Sequence, residues 1–470
     1  MALELQEKIG VENRGQTPIF LRRTMRLPDA TALVIGCIIG AGIFRMAAPV
    51  ATHVTYPGLV MLVWIAGGLL SFCGALCYAE LGAAMPKTGG DYVYLTSAFG
   101  RLTGFLFGWT KLFIERTGTI AVLGFVFAEY LGYFTGSGPV GTKIAASSAI
   151  ILLTLANTFG VQYGARVQNV FSTLKVLSLA GIIVVGWIMV GARPFDVAQG
   201  GRAVPLQTWW PASMEFSSFS SWGLALTFVL WTYGGWTESA YVAEEIQNPQ
   251  KNIPRSILYG LLLTTALYLV VNWVYMLYVP LNEMPQHKLV AAEMMRRAVG
   301  PWGGGIISAM VVCSTFGALN GYILTSARLL FAIGQDHPVW TLLGKIHPKF
   351  ATPARALSFN AAAAILLVWT GTLDQIVTYS TVVISIFYAM AGLAVIILRK
   401  RYPDLERPYK VWGYPWIPLI FAATMLIYVW DVWTKQPQEA WFGIGLLAAG
   451  VPLYLLSQRI KSASPQEIHK

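Results

Sequence analysis

Runs of about 17 to 25 predominantly apolar residues, the length a helix needs to cross the hydrocarbon of a bilayer, recur twelve times along this chain of 470 residues. They lie near 29-51, 58-85, 104-134, 143-160, 167-190, 222-243, 256-279, 301-332, 356-371, 373-398, 414-432 and 440-457. Inside lipid every backbone N–H and C=O must find a partner within the protein, so only helices or a closed barrel can span it. Continuous runs of this length select helices. Only 12% of the residues are charged, against about a quarter in soluble domains. The chain therefore reads as an all-α integral membrane protein of twelve transmembrane helices.

Charge placement gives the expected orientation. With the N-terminus inside, 21 of the 33 Lys and Arg residues fall in cytoplasmic segments and 7 in external ones, namely Lys143, Arg193, Arg202, Lys288, Arg296, Arg297 and Lys435. Positive residues favour the cytoplasmic side, so both termini are expected there. The net charge of +11 follows this rule and does not indicate a nucleic-acid partner. Residues 1-28 carry Lys8, Arg14, Arg22, Arg23 and Arg26 and lead into a span without an A-x-A-like cleavage site. They read as a cytoplasmic tail and not as a signal peptide.

Two spans are interrupted by glycine. Gly36-Cys-Ile-Ile-Gly-Ala-Gly-Ile-Phe44 places three glycines in the first span, and Trp231-Thr-Tyr-Gly-Gly-Trp236 breaks the sixth. Each glycine costs a helix roughly 1 kcal/mol relative to alanine, and irregular backbone at membrane depth persists only where protein or a cavity surrounds it. Broken helices at matching positions in two halves point to a transporter's substrate site. The freed N–H groups of Gly40, Ala41 and Gly42, with the dipole of the following half-helix, suit an anion. The carbonyls of Ile38, Trp231 and Gly234 supply the complementary negative end, so the pair of breaks suits a zwitterion. Close packing of small residues at Gly36 and Gly40, as in G-x-x-x-G pairs, is the competing reading, but it leaves the second break unexplained.

An odd number of crossings separates the two breaks, so spans one to five and six to ten form two halves of opposite topology. The expected organisation is a tail at 1-28, a first inverted repeat at 29-190, a second at 222-398, two further spans within 414-457 and a cytoplasmic tail at 458-470. The basic loop Arg399-Lys-Arg-Tyr-Pro-Asp-Leu-Glu-Arg-Pro-Tyr-Lys410 reads as a linker at the last boundary.

Several motifs in order resemble the amino acid-polyamine-organocation superfamily, and within it the L-type amino acid transporter branch and its bacterial relatives. These are the Gly36 to Phe44 segment, Tyr78-Ala-Glu-Leu-Gly82 with Pro86-Lys-Thr-Gly-Gly-Asp-Tyr-Val-Tyr94, and Trp231 to Trp236 followed by Glu244-Glu-Ile-Gln-Asn-Pro249 and Asn252-Ile-Pro-Arg255. The resemblance implies a leucine-transporter-like fold with a 5+5 inverted repeat and discontinuous helices 1 and 6. It places a substrate carboxylate on the amides of Ala41 and Gly42 and an amino group on the carbonyls of Ile38, Trp231 and Gly234. Gly40 and Thr237 complete the expected substrate-binding set, and the Trp231 ring is expected to close as an inner gate.

Lys175 lies about 13 Å into the fifth span if the helix starts near Arg166, and a lysine at that depth is a functional candidate. The resemblance implies that it fills the place of a sodium site; its charge is expected to tie the fifth span to the broken first span and, if burial lowers its pKa, to exchange a proton during transport. Sodium-independent uptake is the expectation. Arg45, just after the first break, reads either as part of an external gate or as a residue in a wet vestibule. Glu238 reads either as a selector of cationic side chains or as the partner of an interior base, and Arg116 as a tie between helices. Adjacent in sequence, Glu115 and Arg116 are expected on different helix faces. Ser314, Thr315 and Asn320 are candidates for the surroundings of Lys175, and Glu80, Lys87 and Asp91 for structural roles at the cytoplasmic end.

The expected function is secondary active amino acid transport by alternating access, as exchange of small neutral substrates; a proton-coupled symporter of neutral or cationic amino acids or polyamines is the alternative. An intramembrane enzyme is disfavoured because His53, His287, His337, His347 and His469 fall near span ends, in loops or in the tail, without an H-E-x-x-H or G-x-S-x-G motif. A channel is disfavoured because no repeated filter loop or ring of like charge occurs. No cofactor or metal is expected, since Cys37, Cys73, Cys77 and Cys313 all lie in apolar spans. By the resemblance, eukaryotic members bond a glycoprotein subunit through a cysteine between spans three and four. Here Phe134-Thr-Gly-Ser-Gly-Pro-Val-Gly-Thr-Lys143 has none, so no disulfide-linked partner is expected and the chain reads as a stand-alone carrier of the plasma membrane, of the bacterial inner-membrane kind.

Overall fold

The computed structural model of the chain describes residues 25–86, 90–159, 175, 177–189, 209–211, 222–241, 243, 246–336, 340–350 and 352–463. Most of both expected tails, Lys87, Arg193, Arg202, Glu244, Glu245, His337 and His469 lie outside these residues, as does the start of the expected fifth span. Among the described residues the regular structure is helical, apart from one isolated parallel bridge between Met25 and Ile246.

In chain order the helices begin with α1 (Leu27–Ile38), α2 (Gly42–Arg45), α3 (Ala47–His53), α4 (Pro57–Ala84) and α5 (Asp91–Phe99). Next come α6 (Arg101–Thr135), α7 (Pro139–Thr158) and α8 (Leu177–Met189). Then follow α9 (Trp222–Tyr233), α10 (Glu238–Tyr241), α11 (Pro249–Tyr278), α12 (Val290–Val299) and α13 (Pro301–Asp336). The chain continues with α14 (Ala354–Thr370), α15 (Leu373–Arg401), α16 (Trp416–Lys435), α17 (Pro437–Ala448) and α18 (Gly450–Ala463). Proline occupies the first turn of α4, α7 and α11, where its missing N–H is one the helix could not have satisfied.

Nine helical stretches among the described residues are long and apolar enough to cross a membrane, and α8, α9 and α14 are shorter apolar helices. Leu69, Leu262, Ile427 and Trp430 point outward, as lipid-facing side chains do. Inside, α4 and α11 pack along each other, α1 lies against α11, and α9 lies against α4. The long α6 packs against α13, α14 and α15.

Two connecting helices, α5 and α12, were not expected from the apolar runs, because each is too short and too polar to register as a span. Another difference concerns Glu115 and Arg116. Residues Lys111–Arg116 of α6 form a π-helical turn, whose wider winding changes which side chains share a face. Arg116 Nε accordingly lies 3.5 Å from Glu115 Oε2, correcting the expectation that adjacency would separate them.

Candidate functional site

The end of α1 leaves four carbonyls without intrahelical donors, and the structure accounts for most of them. The Ile35 carbonyl accepts the Ile39 N–H at 2.8 Å. Gly36 accepts from Lys175 Nζ at 3.5 Å. Ile38 accepts both the Gly40 N–H at 2.7 Å and the Tyr268 hydroxyl at 2.7 Å. With both lone pairs of its oxygen engaged, the Ile38 carbonyl has no capacity left for the substrate amino group that the sequence assigned to it in this conformation. The same turn withdraws the Gly40 N–H from the expected anion site. Ala41 and Gly42 then contribute the leading amides of α2, whose N–H groups have no acceptor within the helix.

At the second break α9 stops at Tyr233 and α10 starts at Glu238. The Gly234 N–H folds back onto the Trp231 carbonyl at 3.0 Å, and Glu238 N–H reaches the Gly235 carbonyl at 3.2 Å. Trp231 therefore keeps one lone pair, and Gly234 has no donor to its carbonyl among the described residues. Thr237 is buried, with its carbonyl taken by Ala240 N–H at 3.0 Å. The Trp231 side chain is half-buried.

The two breaks touch. Gly235 has φ +108, and a Cβ there would come within 2.8 Å of the Cys37 carbonyl carbon and oxygen. Gly42 approaches α9 as closely, since a Cβ on it would meet Thr232 Oγ1 at 2.8 Å. By contrast, a Cβ on Gly36 would meet nothing within 4 Å, and one on Gly40 only the nearby Ile38 carbonyl at 3.9 Å. Close helix packing thus explains Gly42 and Gly235 but not the Gly36 and Gly40 pair. Tyr268, which sequence reasoning missed, bridges the ends: its hydroxyl lies 2.7 Å from the Ile38 carbonyl and 3.4 Å from that of Thr232. The sequence offered little to single it out, since the same span also carries Tyr259, Thr264, Thr265, Asn272, Tyr275 and Tyr278.

Lys175 is buried, and Gly36 is its hydrogen-bond acceptor among the described residues. The contact joins the residue just before α8 to the last turn of α1. Two apolar crevices flank this region. One, of about 240 Å³, is lined by Ile39, Leu179, Ile183 and Leu267, and this lining offers nothing to charged groups.

The amino acid permease family matches residues 26–449, nearly the whole chain. The chain belongs to the amino acid permease family. Among its relatives are the b(0,+)-type amino acid transporter 1 of Mus musculus, 31% identical over 96% of this chain and 91% of the relative, and the large neutral amino acids transporter small subunit 2 of Mus musculus, 32% identical over 94% and 82%. The Asc-type amino acid transporter 1 of Mus musculus is 31% identical over 96% and 84%. With its long apolar helices, the permease is a multi-pass membrane protein, and its family is one of carriers, not enzymes.

Other candidates in the permease take definite places. Arg45 is buried and paired with Glu129 of α6 at 2.6 Å, while Tyr130 donates to the Phe44 carbonyl at 2.7 Å. Arg45 is therefore held against α6 and does not dangle in a wet vestibule. Glu238 accepts from Arg116 at 3.1 and 3.3 Å, as the partner of an interior base. Asn320 accepts from Asn157 of α7 at 2.7 Å and Thr315 turns back to the Val311 carbonyl of its own helix, so neither is bonded to Lys175. Glu80, near the end of α4, accepts from Arg399 in two bonds of 2.7 and 2.6 Å and from the Val411 N–H at 2.7 Å. Arg407, in the basic segment beyond α15, lies 3.7 Å from the same carboxylate, which holds that segment to α4.

Proposed function

We propose that this permease carries amino acids across the membrane by alternating access, as a sodium-independent exchanger of small neutral amino acids. The observation that carries the reading is the contact between the two glycine breaks, Gly235 against Cys37 and Gly42 against Thr232. It supports a site in which the Ala41 and Gly42 amides hold the substrate carboxylate and the Gly234 and Trp231 carbonyls hold its amino group. Within this reading α1 to α3 and α9 to α10 are the discontinuous first and sixth spans of an inverted 5+5 repeat, followed by two further spans, with both termini cytoplasmic. Lys175, buried beside Gly36, takes the place of a bound cation. Pairing of Glu238 with Arg116 favours neutral over cationic substrates. The Arg45 and Glu129 pair serves as an external gate contact, and Trp231 as the inner one.

The deciding experiment is uptake of labelled amino acids by proteoliposomes, with and without internal amino acid, a sodium gradient and a pH gradient. Stimulation by internal amino acid alone is the expected result. A strict sodium requirement, or uptake driven only by the pH gradient, would overturn the exchange reading.

A further inference from the structure

The helix α1 is held to the chain of α11 at its start, middle and end. Just ahead of α1, Met25 pairs with Ile246 in the isolated parallel bridge, and its carbonyl accepts the Gln247 N–H at 2.8 Å, two residues before α11 begins. Midway, Gly260 of α11 lets the two helices approach so closely that a Cβ on it would lie 2.6 Å from Val34 Cγ1 and 3.6 Å from the Thr31 carbonyl oxygen. At the end, the Ile38 carbonyl accepts from Tyr268. The twelve residues of α1 extend only about 18 Å, so swinging the helix away from α11 would break contacts along its whole length.

The helix α8 meets the same pair differently. Near its end it is tight: Tyr278 of α11 donates to the Gly186 carbonyl at 2.7 Å, and a Cβ on Gly186 would overlap Val274 Cγ1. Toward its start the contact opens. The crevice of about 240 Å³ lies between Leu179, Ala180, Ile183 and Val184 of α8 on one side and Ile39 and Leu267 on the other. A second, of about 420 Å³, lies between Leu177, Gly181 and Val185 of α8 and Met295, Ile306 and Met310 of α12 and α13. Protein interiors are otherwise packed as densely as organic crystals, so this half of α8 has room on two sides and few dispersion contacts to lose by moving. Its polar tie to α1 is Lys175 Nζ on the Gly36 carbonyl at 3.5 Å, longer than the usual range of such bonds.

We propose that the half of α8 nearest Lys175 swings about Gly186 while α1 and α11 move as one body, so that the path to the glycine breaks opens at the seam between α8 and α1. The inference rests on the transport reading above. Parting an unfilled seam closed by one long hydrogen bond sacrifices less than parting a helix pair tied at three levels, and domain motions concentrate where a few residues absorb the change. Lys175 is then the latch of the seam, meeting Gly36 when α8 lies closed.

Two cysteine pairs test this in proteoliposomes, each treated with a short bis-methanethiosulfonate beside its single-cysteine controls. Crosslinking Met25→Cys to Ile246→Cys should leave the initial rate of alanine uptake close to that of the untreated variant. Crosslinking Ile183→Cys to Leu267→Cys should lower it by about tenfold or more, with recovery on reduction by dithiothreitol. A second measurement does not depend on these variants: spin labels at the exposed positions Ala32 and Tyr259 should keep one distance with and without saturating alanine, whereas labels at the exposed Ala180 and Tyr259 should shift. A crosslink between 25 and 246 that stops uptake, failure of that pair to crosslink, a crosslink between 183 and 267 that leaves uptake intact, or a shift in the 32–259 distance would each overturn the inference while leaving transport intact. Absence of amino acid uptake by wild type would overturn the transport reading instead, and the label distances would still report whether the seam moves.

Discussion

The hydroxyl of Tyr268 donates to the carbonyl of Ile38 at 2.7 Å, so a side chain of α11 stabilises the open end of α1. The same oxygen lies 3.4 Å from the Thr232 carbonyl of α9. With one proton to give, Tyr268 favours the shorter contact and stands poised between the two helix ends. Tyr268→Phe keeps the ring contacts to Trp64 and Tyr233 and removes only the hydroxyl. We expect a stability loss of about 1 kcal/mol and weaker substrate binding, read as a lower melting temperature and a raised KM. Unchanged values for both would show that the bridge is incidental.

Gly235→Ala should be far more damaging than Gly36→Ala. The first forces a side chain into φ +108 and against the Cys37 backbone, whereas a methyl at Gly36 meets nothing within 4 Å. Left-handed backbone alone costs an L-residue about 1–2 kcal/mol, before the clash. Gly42→Val should likewise abolish uptake by pushing Thr232 away, and Thr232→Ala should recover part of the loss in Gly42→Ala. Uptake and yield of the five variants check this ordering.

Lys175→Met removes a buried charge without opening space, so folding should survive it. Loss of the tie to Gly36 should slow uptake by about tenfold or more, within the usual range of coupling energies. The readouts are the initial rate in proteoliposomes and the melting temperature in detergent. A normal rate in the folded variant would remove Lys175 from the transport cycle.

Glu129→Gln strands the buried Arg45 guanidinium. Breaking a buried ion pair from one side typically costs about 3–5 kcal/mol, and Lys288, 4.0 Å from Glu129, is a second cation and offers the guanidinium no replacement partner. Thermal melting should fall sharply in Glu129→Gln and recover partly in the double variant with Arg45→Gln, a coupling that a double-mutant cycle measures directly.

The connecting helix α12 should respond to acid. Burial by itself would raise the Glu293 carboxyl, but hydrogen bonds and charge from Arg296 and Arg297 outweigh it and hold the group below its usual range. A carboxylate lowered on folding stabilises above its unfolded value, about 4.3, and that contribution is lost as pH falls through the folded value. Hydrogen exchange of amides in 290–299 should therefore be constant from neutral pH down to about 5 and accelerate below about 4, after correction for intrinsic rates. Glu293→Gln should abolish this acid step.

Much of the architecture was legible in the pattern of apolar residues. Lipid admits so few backbone solutions that run length identifies helices, and α4, α6, α13, α15 and α16 fall close to their expected positions. The glycine breaks were legible for the same reason, being costly in a helix and irregular where irregularity must be covered. The short connecting helices α5 and α12 were not, because an interfacial helix has neither the length nor the uniform apolarity of a span. The pairing of Glu115 with Arg116 escaped a reading based on α-helical spacing once the backbone wound more widely at Lys111–Arg116.

By itself the sequence determined that the chain is a membrane-embedded helical protein of the permease kind, with two glycine-rich stretches set in apolar runs, a lysine in a further apolar run and charges in need of partners. These properties depend on composition and order along the chain, and the bilayer's dielectric enforces them. Only the tertiary structure decided which groups meet: Tyr268 with Ile38, Gly235 with Cys37, Arg45 with Glu129 and Glu238 with Arg116. Each partner lies tens to hundreds of residues away in the chain, and contact energies of that kind depend on packing at the ångström scale that one-dimensional order does not encode locally.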